Sequence, residues 1–182
     1  MIRKNKYIFM FIILVTINQT LAALTLRKIG DVLQIVTPAY ALGFAMGEGE
    51  YGNEYKVPAQ FFCSFIASQL TVVVLKEITQ QKRPDYKEGK KKDSFPSGHA
   101  ASAFSGATFI HRRYGLPHAI IPYGLAVIVG WSRIDAKRHH PRDVIAGAIV
   151  SGLYNWIFVD RKDSLTLTAN KNETKITYKF SL

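Results

Sequence analysis

The sequence predicts an all-α fold: a compact bundle of five to six helices, embedded in a membrane, followed by a short C-terminal β-hairpin. The chain has 182 residues, which is the size of one domain. It is 48% hydrophobic and 12% aromatic, and this composition excludes a disordered chain. Apolar residues fall in helix-length runs up to the tail, where they alternate with polar ones. The mean hydropathy of +0.03 leaves a soluble bundle open as the alternative.

Residues 1–22 are predicted to be a signal peptide or a first transmembrane segment. Three basic residues within positions 3–6 precede an apolar run over 7–17, and Ala22 is a small residue of the kind found at cleavage sites. The alternative is an uncleaved span that extends to Leu26. Both alternatives place the start of the following domain on the outer side of the membrane.

Five further segments are predicted to be helices of one domain over residues 23–163. They cover residues 29–47, 57–75, 96–110, 119–131 and 144–159. The helix over 57–75 has about the length that a membrane span needs, whereas the last three are short for spans. Small residues in the segment over 96–110 allow close helix packing, which both membrane and soluble bundles use. The tail over 164–182 alternates around a turn at 169–173 and predicts the β-hairpin.

The charge of the chain points to an anionic partner. The formal net charge is +11, from 24 Lys and Arg against 13 Asp and Glu. Nucleic acid, anionic lipid and a phosphorylated substrate all fit such a surplus. The basic loop over 82–93 would lie outside the membrane, against the positive-inside rule, and therefore needs another purpose. Cys63 is the single cysteine, which excludes an intramolecular disulfide and a Cys-based zinc or redox motif.

Two clusters of basic and polar residues are candidates for anion binding. Lys76 and Arg83 are seven residues, or about two helical turns, apart, so we expect both to project from one face at the helix end, with Pro84 helping to end the helix. The run Ser-Phe-Pro-Ser-Gly-His over 94–99 directly precedes a helix, whose free N–H groups can bind an anion. Taken singly, a solvated helix end and a capping motif are the more common explanations of these two clusters.

A third cluster contains Ser132 and Arg133, followed by His139 and Asp143. His139 and Asp143 are four residues apart, so we expect them to meet on one helical face. A carboxylate bonded to one imidazole nitrogen would fix the tautomer and leave the other nitrogen free to attack or to bind. Taken alone, a His and an Asp at this spacing more often have a structural role than a catalytic one.

Together the three clusters resemble the three-part signature of the type 2 phosphatidic acid phosphatase (PAP2) superfamily, which also holds bacterial class A acid phosphatases and vanadium haloperoxidases. The resemblance covers residues 57–159 and implies a PAP2-like phosphatase domain within 23–163. It implies that five residues bind phosphate, namely Lys76, Arg83, Ser97, Gly98 and Arg133. It implies no metal and no other cofactor.

The resemblance also implies catalytic roles for three residues. His139 would attack phosphorus to form a phosphohistidine, and Asp143 would orient its ring. His99 would protonate the leaving oxygen and then activate the water that hydrolyses the intermediate.

The predicted function is a metal-independent phosphomonoesterase that acts on a bacterial envelope lipid. The substrate classes considered are lipid A 1-phosphate, phosphatidylglycerophosphate, phosphatidate and undecaprenyl diphosphate. The predicted localisation is the inner membrane, with the active site facing the periplasm. We expect a phosphorylated lipid and the membrane as partners, no nucleic acid and no obligate protein partner.

Other functions remain open to experiment. The first alternative is a soluble periplasmic non-specific acid phosphatase, and a vanadium haloperoxidase ranks below it. A lipid-binding or structural membrane protein and a nucleic-acid binder would both leave an intact set of His99, His139 and Asp143 without explanation.

Overall fold

A computed structural model of the chain describes residues 25–48 and 55–162 in full and, beyond them, the secondary structure of residues 3–24, 164–170 and 173–179. The helices are α1 (Arg3–Gly47), α2 (Lys56–Thr79), α3 (Gly98–Tyr114), α4 (Leu116–Asp135) and α5 (Pro141–Phe158). The predicted helical bundle is therefore confirmed, with an overlapping helix for each of the five segments. The predicted helix over 29–47 is the C-terminal part of the longer α1. A signal or first-span role for residues 1–22 stays a prediction.

The tail contains two short strands, β1 (Ser164–Asn170) and β2 (Glu173–Lys179). They pair antiparallel, with Ser164 opposite Lys179. Their side chains lie outside the described residues, so the C-terminal β-hairpin stays a prediction, as does any role for it.

Helix α3 lies at the centre of the bundle and packs against each of the other four helices. Its small residues make this possible: Ala100, Ala103 and Ala107 are fully buried. At Gly106 an added Cβ would lie 2.5 Å from the Thr37 carbonyl oxygen of α1, so only glycine permits this approach. A central helix made of small residues lets four neighbours converge around it.

The outer surface of the bundle is apolar. Two helical segments, Thr25–Gly47 and Lys56–Thr79, are long and apolar enough to cross a membrane. Large hydrophobic side chains also project outward from α4 and α5, among them Ile121 and Leu153. Apolar helices with exposed apolar faces indicate that the protein associates with a membrane.

Polar loops converge at one end of the bundle. The loop between α2 and α3 is held to the loop between α4 and α5 because the Asp85 N–H donates to the Lys137 carbonyl oxygen at 3.3 Å. Within the first loop, the Ser94 N–H donates to the Gln81 carbonyl oxygen at 2.9 Å. Helix α1 reaches the same end, where a Cβ at Gly30 would lie 1.9 Å from Ser132 Oγ. The three clusters from the sequence are thus brought together.

Candidate active site

The three clusters surround an open cavity of about 190 Å³ at this end of the bundle. We call it the histidine cavity. It is lined by Arg27, Asp31, Lys76, Arg83, Asp93, Gly98, His99, Arg133, Arg138 and His139. Five of these side chains are Lys or Arg and two are carboxylates, so the cavity suits an anion.

The ring of His139 is held in one tautomer. Its Nδ1 donates to the Ser94 carbonyl oxygen at 2.7 Å, because a carbonyl can only accept. The proton on Nδ1 leaves the lone pair on Nε2, the form that a nucleophile needs. Burial, together with the nearby charge of Lys76, lowers the pKa of His139 to about 4. His139 is therefore neutral at pH 7.

Asp143 does not meet His139 on one helical face, and this expectation is wrong. His139 precedes α5, whereas Asp143 is the third residue of that helix. The Asp143 Oδ2 atom accepts from Ser94 Oγ at 2.5 Å and from the His140 N–H at 2.9 Å, and it lies 3.8 Å from His139 Nδ1. The fully buried carboxylate thus fixes Ser94, and the carbonyl of Ser94 in turn fixes the His139 ring.

Lys76 and Arg83 do not project from one helix, and this expectation is also wrong. Helix α2 ends at Thr79, because Gln80 takes a left-handed conformation with φ 45° and its N–H bonds to the Lys76 carbonyl. Arg83 reaches the cavity from the following loop. Asp93 joins the two cations: its carbonyl oxygen accepts from Lys76 Nζ, and its carboxylate accepts from Arg83 Nε at 2.8 Å and Nη2 at 3.0 Å.

This pairing keeps Asp93 charged. Partial burial raises the pKa of Asp93, but the hydrogen bonds from Arg83 and its charge outweigh burial and bring the pKa below its ordinary value. An ionised Asp93 holds Arg83 at the cavity wall in a bidentate geometry.

The second cluster forms the start of α3. Ser97 caps the helix, and its Oγ accepts from the Ala100 N–H at 3.4 Å. Its own N–H donates to the Asp143 carbonyl oxygen at 2.9 Å. Gly98 lines the cavity, whereas the fully buried Ser97 does not. Phosphate binding by Ser97 and Gly98 stays a prediction.

Sequence reasoning missed Asp31 and Arg27 of α1, which both line the cavity. Asp31 of α1 places Oδ1 3.1 Å from His99 Nε2 and 2.6 Å from Arg133 Nη1. The sequence does carry a signal for it, because Asp31 is an acidic residue in a segment long and apolar enough to cross a membrane, and ionisable residues in such helices mark functional sites.

Arg133 is nearly buried, with 3% of its side chain exposed, and its guanidinium is fixed on several sides. Besides Asp31, its Nη2 donates to the Arg27 carbonyl oxygen at 2.7 Å and its Nε donates to Ser132 Oγ at 3.0 Å. The missed residues Asp31 and Arg27 thus bring α1 into the site.

Comparison with known proteins agrees with this geometry. The model of the PAP2 superfamily matches residues 58–164 of the chain, more than half of its length. The chain belongs to the PAP2 superfamily. The resemblance drawn from the three clusters is therefore confirmed.

Relatives of this PAP2 chain include two lipid phosphatases. The chain is 42% identical over 71 residues to lipid A 1-phosphatase of Porphyromonas gingivalis, covering 37% of this chain and 15% of that protein. It is 36% identical over 66 residues to lipid A 4'-phosphatase of Helicobacter pylori, covering 36% of this chain and 33% of that protein. The chain thus spans a third or less of the length of these curated relatives.

A solved structure has a fold similar to that of this PAP2 chain. The crystal structure of LpxE from Aquifex aeolicus matches with a TM-score of 0.57 and 23% sequence identity. The match covers 74% of this chain and 86% of that chain. The similarity supports the helical arrangement described above.

Lys76, Arg83 and Arg133 bring positive charge to the cavity of this PAP2 chain, and guanidinium groups in general suit phosphate oxygens. Phosphate binding by these three residues stays a prediction. Among the described residues, no group of three or more His, Cys, Asp or Glu side chains is placed to hold a metal ion. Independence from metal stays a prediction that a chelator can test.

Proposed function

We propose that this protein is a phosphatase that removes a phosphate from a membrane lipid through a phosphohistidine on His139. The observation that carries the proposal is the neutral His139, which is held by Ser94 with its Nε2 lone pair free, in a cavity lined by cations and by a second histidine. A nucleophile, a proton donor and an anion site in one cavity are what phosphoryl transfer requires.

In the first step, Lys76, Arg83 and Arg133 bind the phosphoryl oxygens and stabilise the charge of the transition state. His139 Nε2 attacks phosphorus, so that a P–N bond forms while the P–O bond to the lipid breaks. His99 donates a proton to the departing lipid oxygen. The developing positive charge on the His139 ring is offset by the buried Asp143 carboxylate, 3.8 Å from Nδ1.

In the second step, a water replaces the lipid alcohol. His99, now neutral, takes a proton from the water as its oxygen attacks phosphorus. The P–N bond breaks, inorganic phosphate forms, and His139 returns to its neutral state. Asp31 contacts His99 Nε2 at 3.1 Å and positions the ring for both proton transfers.

The proposed substrates are phosphorylated envelope lipids: lipid A 1-phosphate, phosphatidylglycerophosphate, phosphatidate and undecaprenyl diphosphate. The two curated relatives support this class, because their names state phosphatase activity on lipid A. The apolar outer surface supports a place within a bilayer. We propose the inner membrane of a bacterial envelope, with the histidine cavity on the periplasmic side.

A substrate panel tests the proposal. Purified full-length protein in non-ionic detergent is incubated with each of these lipids and with soluble phosphate esters, and release of inorganic phosphate is measured. We expect kcat/KM to be highest for a lipid. Equal or faster hydrolysis of soluble esters, together with release of the protein from membranes by alkaline carbonate, would favour the soluble acid phosphatase instead.

A further inference from the structure

A second cavity adjoins the histidine cavity on the side of the basic loop. Its volume is about 460 Å³, against about 190 Å³ for the histidine cavity. Arg83, Asp93 and Arg138 line both cavities, so the two spaces share a wall. We call the second space the lysine cavity, after Lys87, Lys90 and Lys91, which complete its basic lining.

The loop around the lysine cavity is folded into successive turns. The Tyr86 N–H donates to the Arg83 carbonyl oxygen at 3.0 Å, and the Lys90 N–H donates to the Lys87 carbonyl oxygen at 3.1 Å. The second turn needs a left-handed residue, and Gly89 supplies it with φ 81°. These turns hold Lys87 and Lys90 near each other at one cavity.

The lysine cavity has more positive than negative charge. Five of its lining residues are Lys or Arg, and two are acidic, Asp85 and Asp93. The carboxylate of Asp93 is already bound by Arg83. Within the described part of the chain, no hydrogen bond or ion pair is formed by the side chains of Lys87, Lys90, Lys91 and Arg138. Cations that lack a partner within the protein and line a concave surface favour an anionic ligand.

The position of these cations limits what the ligand can be. A lipid whose scissile phosphate occupies the histidine cavity must place the neighbouring part of its headgroup beside that cavity. The lysine cavity offers that space across the wall formed by Arg83 and Arg138. A headgroup with a second phosphate would meet cations there, whereas an uncharged headgroup would leave them without a counter-charge.

We propose that the lysine cavity is a second anion-binding site, which binds a second phosphate group on the same lipid molecule whose first phosphate is hydrolysed. The proposal rests on the proposed function and narrows its substrate class to lipids with two phosphorylated positions. It also gives the basic loop over 82–93 a specific role in substrate choice.

The test compares two glycolipids in non-ionic detergent: one with two phosphates and one that keeps only the scissile phosphate. The quantity measured is the preference, the ratio of the two kcat/KM values. In the Lys90→Ala/Lys91→Ala variant we expect the preference for the two-phosphate lipid to fall about tenfold, as for the loss of one charge-assisted hydrogen bond. The matched control, Lys56→Ala/Lys162→Ala, removes two charges that pair with Asp160 and Glu48 and line neither cavity, and it should keep the wild-type preference.

A binding measurement keeps the proposal testable without turnover. The same two lipids are titrated into the His139→Ala protein, with and without the Lys90→Ala/Lys91→Ala change. Tighter binding of the two-phosphate lipid, lost on removal of the lysines, supports the second site even if no phosphate is released from any lipid. In that event the proposed function fails while the second site stands.

Two results would overturn the proposal. The first is a wild-type protein with no preference for the two-phosphate lipid, or a preference that falls equally in the control variant. The second is a fall of kcat/KM in the Lys90→Ala/Lys91→Ala variant that is seen only when a separate anionic lipid is added to the assay of the one-phosphate substrate. That result would assign the lysine cavity to headgroups of neighbouring lipids.

Discussion

The two ends of the helical bundle use charged residues in opposite ways. At the end away from the cavities, charges pair with one another: Lys56 Nζ lies 2.9 Å from Asp160 Oδ2, and Lys162 Nζ lies 2.7 Å from Glu48 Oε2. Arg113 there donates to the Asp160 carbonyl oxygen at 3.1 Å. At the other end, the cations face open cavities and outnumber the carboxylates.

This difference separates charged residues that hold the helices together from charged residues that bind a ligand. An ion pair at the surface joins two parts of the chain and contributes little to stability, about 0–1 kcal/mol. A group of cations without enough counter-charges costs stability through repulsion, and binding of an anion removes that cost. We therefore assign binding to the cavity end and helix anchoring to the paired end.

The largest effect is expected from the histidines at the two ends. His139→Ala removes the nucleophile, and we expect phosphate release to fall by about 10⁴- to 10⁶-fold. His118→Ala is the control at the paired end, where the His118 ring contacts the Tyr114 carbonyl oxygen at 2.9 Å. It should keep wild-type activity. If the His139→Ala protein keeps its helical circular dichroism and its activity stays near the wild-type level, the result would contradict the proposed mechanism.

The two buried arginines provide the next comparison. Arg133→Lys keeps the charge at the histidine cavity but loses the planar guanidinium, and we expect kcat/KM to fall by about 10²- to 10³-fold. Arg113→Lys at the paired end should lower the thermal unfolding temperature and leave kcat/KM within a factor of about three. Steady-state kinetics and thermal melts of both variants measure the two effects. Equal losses of activity in the two variants would contradict the assignment of anion binding to the cavity end and of helix anchoring to the paired end.

Asp31 is one of the two carboxylates that line the histidine cavity, and its removal should increase the excess of positive charge at the cavity end. Asp31→Asn takes away a negative charge that competes with phosphate for Arg133, so we expect KM to fall about threefold. The inhibition constant of vanadate, which resembles the five-coordinate phosphorus of the transition state, should fall by the same factor. His99 loses its ionic partner, so kcat should fall about tenfold. A purely structural role would instead lower stability without this combined fall of kcat and KM.

The acid-base behaviour of His139 gives a smaller but specific effect. Its pKa of about 4 means that the folded protein binds the His139 proton less tightly than the unfolded chain does. The ring should stay neutral at pH 5, and its contribution to stability should fall as the pH drops from about 6.5 towards 4. Ring NMR signals, assigned with the His139→Asn variant, measure the titration. A midpoint near 6.5 would contradict the burial of a neutral ring.

Much of the site could be predicted from the resemblance of three sequence clusters to the PAP2 signature. The signature marks Lys76, Arg83, Gly98, His99, Arg133 and His139, and all of them line one cavity. The ends of the helices were harder to predict. Helix α2 stops before Arg83 at the left-handed Gln80, and glutamine marks a helix end less clearly than glycine or proline does. The contact of Asp143 with Ser94 could not be predicted, because it joins residues that are 49 positions apart in the sequence.

The role of α1 could not be predicted, for a physical reason. Asp31 meets His99 and Arg133 only because Gly30 lets α1 approach α4 closely. Such a contact depends on packing between helices that are distant in sequence, and no local periodicity records it. The N-terminal helix therefore completes the cavity without carrying any residue of the three clusters.

The most direct test of the central claim is to isolate the covalent intermediate. The His99→Asn protein is mixed with a ³²P-labelled phosphate ester that has a good leaving group, because bond cleavage then needs no proton from His99 while hydrolysis of the intermediate is slowed. After an alkaline quench, we expect the label on His139 and none in the His99→Asn/His139→Ala protein. Absence of label on His139, while the ester is still hydrolysed, would contradict nucleophilic catalysis by this residue.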